Sequence, residues 1–132
     1  MADDLPPEIT QGATLRGKEF GWTISSFPDA LTKAPALGYA CLGGQFQFRV
    51  DDGIYEMYWI DADSAEREQG ESWEDYCRRS CKEVLQEFQK SLSKTDFAKE
   101  ALNFSFPIDP IKTLVFVAYF VSQTDLSRLP DS

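Results

Sequence analysis

The chain contains no histidine. That absence removes His-based triads, acid–base histidine pairs and His-ligated zinc sites. Positive charge is scarce too: 13 Lys+Arg face 22 Asp+Glu, a formal net charge of −9 at pH 7. A chain this acidic is poorly suited to phosphate backbones or anionic lipid, so neither nucleic acid nor membrane is expected as a partner. The longest apolar run, Leu114 to Val121, has eight residues, whereas a membrane-spanning helix needs about 20. Neither a Gly-x-x-x-x-Gly-Lys-Ser/Thr loop nor a Gly-x-Gly-x-x-Gly loop occurs, so nucleotide binding by those routes has no support. Cysteine is limited to Cys41, Cys77 and Cys81. An odd number of thiols, behind a start (MADDLPPEIT) with no basic or apolar stretch, points to the cytoplasm and no signal peptide.

Apolar material is plentiful. Of 132 residues, 42% are hydrophobic and 14% aromatic, enough for one domain over 1–132 with a real core. The ends, 1–12 and 123–132, read as loosely ordered. Phe20 to Ile24 reads as a short strand. Ser26, Pro28 and Asp29 signal a helix start, closed by Pro35 and Gly38. Gln45 to Val50 alternates polar and apolar, Asp51-Asp52-Gly53 turns with Gly supplying a positive φ, and Ile54 to Ile60 resumes, which makes a β-hairpin. Phe46, Phe48 and Val50 share one face. The second strand carries large residues on both faces and is expected to be central in the sheet. Residues 61–71 form a polar linker. Ser72 and Asp75 make an S-x-x-D cap. Trp73, Tyr76, Cys77, Cys81, Val84, Leu85, Phe88 and Leu92 then recur at helical spacing. Thr95 is expected to cap a short helix over Asp96 to Leu102, and Thr113 to Ser122 reads as an interior strand. The expected class is α+β: a single, mostly antiparallel sheet of three to five strands, with one long amphipathic helix over about 73–92 packed on a face and shorter helices at the ends.

Charge is distributed unevenly. Residues 51–75 hold ten acids and one base, while the flanking segments are nearly neutral. Such a stretch is either a solvated face or a docking surface for a basic partner. The expected contact residues are Asp51, Asp52, Asp61, Asp63, Glu66 and Glu68, with Tyr55 and Trp59 as aromatic anchors. Other chemistry fits less well. Measured from Asp61, a calcium loop fails at its fifth, sixth and twelfth positions. The acids are too many for any one pair to signal glycoside hydrolysis. Cys41 before Gly43-Gly44 lacks a His base, and the glycine pair reads as a bulge. Cys77 and Cys81 read as small apolar residues on a buried helix face. No catalytic residue, metal or cofactor is expected. A small ligand- or divalent-metal-binding domain or enzyme using the 61–68 acids is one alternative, and a homodimer is another.

Gly43-Gly44-x-Phe46, the turn Asp52-Gly53, Tyr58-Trp59 and Glu71-Ser72-Trp73 together resemble small bacterial immunity proteins of polymorphic toxin systems, of which the SMI1/KNR4-like group is an example. The resemblance covers residues 43–92. It implies a small, acidic, cytoplasmic, non-catalytic protein that neutralises a cognate toxin by covering its active site.

Overall fold

A computed structural model describes residues 5–51, 53–104 and 107–127. The fold is α+β. A short helix α1 (Pro7–Thr10) leads into strands β1 (Ala13–Arg16) and β2 (Glu19–Thr23) and helix α2 (Phe27–Lys33). A 3-10 turn at Pro35–Leu37 precedes the long hairpin of β3 (Tyr39–Val50) and β4 (Gly53–Asp63). The long helix α3 (Trp73–Lys94), a short α4 (Phe97–Ala101), strand β5 (Leu114–Ser122) and a last turn of helix α5 (Gln123–Ser127) complete the chain. All strands join one sheet in the order β1-β2-β5-β3-β4, every neighbour antiparallel.

Helix α3 forms where the apolar spacing places it. The Ser72 hydroxyl accepts from the Asp75 N–H at 3.1 Å, Glu74 and Asp75 occupy the first turn, and Lys94 the last, in keeping with the helix dipole. Its buried stripe, Tyr76, Cys77, Ser80, Cys81, Val84 and Phe88, crosses β3 and β4. The core beneath is aromatic: Phe46 stacks on Phe88 with centroids 5.5 Å apart, Phe27 meets Phe116 at 4.6 Å, and Trp22 meets Phe120 edge-on at 5.2 Å. Strand β5 is interior, as its apolar sequence requires.

Several expectations are corrected. Strand β4 lies at the sheet edge, not its centre. Its large residues do not alternate between two covered faces, because Tyr58, Trp59 and Ile60 are an insertion: Met57 pairs with Phe46, and the next paired residue, Asp61, sits opposite Gln45. Gly53 is already in β4, opposite Val50, and Asp52 lies outside the described residues. The strand continues to Asp63, so 61–63 are not linker. Residues 1–4 lie outside the described residues, and 5–12 are not loose: Ile9 is fully buried, and its carbonyl accepts from Trp22 Nε1 at 2.7 Å. Residues 123–127 are helical, while 128–132 lie outside the described residues. The Ser26 hydroxyl does not cap α2. It bonds the Gly12 carbonyl at 3.2 Å instead, tying β1's start to α2. Asp96, not Thr95, caps α4, accepting from the Lys99 N–H at 3.1 Å.

Strand β3 is buried on both faces. Phe46 and Phe48 enter the core, while Gln47 and Arg49 on the other face are 0% and 9% exposed. Arg49 donates through Nε to Gln47 Oε1 at 2.7 Å, through Nη1 to the Thr14 carbonyl at 2.6 Å and through Nη2 to the Glu19 carbonyl at 3.0 Å. Burial, with Arg16 nearby, pulls the Arg49 pKa below its ordinary value. Gly21 lies under the guanidinium: a Cβ there would come within 2.8 Å of Arg49 Cζ. The sheet is so strongly coiled that Arg16 on one edge donates to the Gly53 carbonyl on the other at 2.9 Å.

The pair Gly43-Gly44 serves the backbone. The β3–β5 register shifts between Cys41 and Gly43. Gly43 has φ +121°, and a Cβ on Gly44 would sit 1.9 Å from the Val117 carbonyl oxygen. Because the obstacle is backbone in the central strand pair, Gly44→Ala should destabilise the fold by about 1–3 kcal/mol, read as a lowered denaturant midpoint.

Candidate functional site

The expected contact residues are not all brought together. Asp51 is exposed at the hairpin tip. Asp61 and Asp63 lie at the opposite end of the ribbon, paired with Gln45 and Gly43. Along β3, Gln45 and Gly43 lie five and seven residues from Val50 at the tip, roughly 17 and 23 Å at 3.3 Å per residue. Tyr55 is no surface anchor. It packs against the main core, its ring 5.0 Å from that of Phe104. Trp59, 54% exposed, remains on the surface, as do Glu66 and Glu68. A residue not expected at the surface joins Trp59. Tyr58 is 65% exposed, and its ring meets that of Trp59 edge-on, with centroids 5.5 Å apart at 82°. Adjacent strand residues normally point to opposite faces; the three-residue insertion lets these two meet. Trp59 Nε1 donates to Glu100 Oε1 at 2.9 Å, fixing the indole against α4.

The segment after β4 stays exposed over 65–70 yet is strapped onto α3 by hydrogen bonds. Arg79, projecting from α3, grips Glu71 with both carboxylate oxygens, Nε to Oε2 at 2.7 Å and Nη2 to Oε1 at 2.8 Å. It also donates to Glu83 at 2.9 Å and to the Glu66 carbonyl at 3.0 Å. Glu83 Oε1 in turn accepts from the Ala65 N–H at 2.9 Å. Arg67, the single base among the ten acids, is exposed and folds back along the strap. It donates to the Glu71 carbonyl and lies over the Trp73 ring at 5.4 Å. Paired bonds from Arg79 hold the Glu71 pKa down at about 2. Thus Glu71 is already neutralised, whereas Asp61 and Asp63 have no ion-pair partner among the described residues. Burial and the charges of Asp61 and Glu87 raise the Asp63 pKa. Asp63, Glu83 and Glu87 border an open furrow of about 400 Å³. No group of three or more His, Cys, Asp or Glu among the described residues could hold a metal ion.

The thiols sit in the interior. Cys41, Cys77 and Cys81 are free and buried. Burial raises the Cys41 pKa and pushes Cys77 to about 11 and Cys81 to about 12, so each is a poor nucleophile at neutral pH. Among the described residues no helix is long and apolar enough to cross a membrane. Compared with protein-family models, curated proteins and solved structures, the chain matches none.

Two outcomes follow from this geometry. Glu71 carries a pKa below its unfolded value of about 4.5. Its stabilising contribution is therefore complete above that pH and is lost as pH falls toward about 2. Arg79→Ala should abolish this part of the acid sensitivity and open the strap to proteolysis between 65 and 70; denaturation across pH 2–5 and limited digestion check both. The thiols should resist alkylation in the native protein and react fully once it is unfolded, as mass spectrometry would show.

Proposed function

We propose that this chain is a non-catalytic protein-binding domain whose partner is basic, in the manner of a bacterial immunity protein that covers a toxin. One observation carries the reading: at the end of the edge strand, Asp61 and Asp63, the latter near Glu87, have no ion-pair partner among the described residues and lie next to an aromatic pair that the strand pushes outward. Crowded carboxylates repel one another, and that repulsion is relieved when a cation arrives. The charges would steer the encounter, and a buried ring would prolong it. The contact surface on this reading is Trp59, Asp61, Asp63, Glu66 and Glu68. Asp51 lies too far along the ribbon to share its centre, and Tyr55 is excluded by its packing. The raised thiol pKa values favour binding over catalysis by cysteine.

The test is capture of a partner from lysate at low and at raised salt, followed by kinetics. Asp61→Lys/Asp63→Lys should slow association with the captured basic protein by about tenfold at low ionic strength, within the range that steering can supply. The difference should shrink as salt screens the charges. An unchanged association rate at low salt would remove this function.

A further inference from the structure

Among the described residues arginine is matched to an aromatic ring twice, once held by glutamate carboxylates and once by a backbone carbonyl. Arg79 lies over Tyr76 at 5.4 Å while Glu71 and Glu83 hold its nitrogens. Arg67 lies over Trp73 at 5.4 Å while the Glu71 carbonyl accepts its Nε and Nη2. The insertion in β4 assembles rings and a carboxylate as in the Arg79 set, without the arginine. Tyr58 and Trp59 supply two exposed rings in an edge-to-face step, and Glu100 supplies a carboxylate bonded through one oxygen to the Trp59 indole. That bond orients the indole before any partner arrives, which lowers the ordering cost of a contact. No guanidinium or ammonium of the described residues lies over either ring.

We propose that the Tyr58–Trp59 step with Glu100 is a clamp for an arginine side chain of the partner. The inference rests on the reading of this chain as a binder of basic protein and names the contact that anchors it. Two features favour arginine over lysine. A planar guanidinium stacks on a ring while still offering edge donors to a carboxylate, whereas an ammonium is a compact and strongly hydrated charge. The flanking acids Glu56 and Asp61 weigh against the β4 edge of a second copy as occupant, because it would bring the same charges.

A short Gly/Ser peptide carrying arginines tests the clamp, alongside the same peptide with lysine and with citrulline, which keeps the shape and drops the charge. The readout is the indole N–H resonance of Trp59. It is separable from the other two indoles, which donate to the carbonyls of Ile9 and Gly38. The arginine peptide should move the Trp59 resonance, the lysine peptide should bind more weakly, and the citrulline peptide should not bind. Tyr58→Ala and Trp59→Ala, both at exposed positions, should each weaken the arginine peptide about five- to tenfold. Equal binding of arginine and lysine peptides would overturn the proposal. So would undiminished binding to Trp59→Ala with shifts confined to Asp61, Asp63, Glu66 and Glu68, an outcome that leaves the acidic docking surface standing. If neither cationic peptide binds at low salt, the clamp and the basic-partner reading fall together.

Discussion

The guanidinium of Arg49 lies on a sheet face that no helix covers, yet it is 9% exposed. Taking a guanidinium from water costs several kcal/mol unless its donors are met. Here the acceptors are backbone carbonyls of β1 and β2 and the amide of Gln47, so meeting them requires those strands to curl over β3. The coiling of the sheet, the glycine at position 21 and the contact between its two edges belong to one arrangement. The helix-side face can then be almost wholly apolar and aromatic, Ser80 aside, because the long polar side chains of β3 are met on the other side. Gln47 Nε2 is left without a partner among the described residues, a sign of how tightly that inner face is filled.

Charge is handled in a different way at the other end of the hairpin. Ten acids in 25 residues would repel one another if left in a loose loop. Arg79, flanked by Glu83 on the same helix, draws Glu71 and the backbone of the strap onto α3, which converts part of the excess into structure. Asp61 and Asp63 receive no such partner. The distinction between acids already satisfied and acids left open is what makes this region readable as a surface, since an even spread of carboxylates would carry no such information.

Much of the architecture was legible in the sequence because it depends on local rules. The helical spacing from Trp73 and the Ser72–Asp75 cap placed α3 to within two residues at its C-terminal end, and the apolar run from Leu114 marked an interior strand. What escaped was set by distant contacts. Ile9 is ordered by the Trp22 indole, and β1 by the reach of Arg49, neither of which leaves a local trace. Tyr55 and Trp59 would share a face in an unbroken strand, and the insertion that begins at Tyr58 parts them. Three large residues in a row at Tyr58-Trp59-Ile60 were the available warning that the alternation breaks. The strap was missed because the partner of Glu71 stands eight residues away, on a helix read only for its apolar stripe.

The insertion in β4 also bears on how the protein behaves when concentrated. A long, aromatic edge strand ordinarily invites another molecule to add a strand and begin a growing stack. In this chain the free edge is broken after Met57, so its hydrogen-bonding groups do not present an unbroken ladder. Glu56, Asp61 and Asp63 place like charges wherever two such edges would meet. The insertion of Tyr58, Trp59 and Ile60 that exposes the rings therefore also spoils the template for fibre growth.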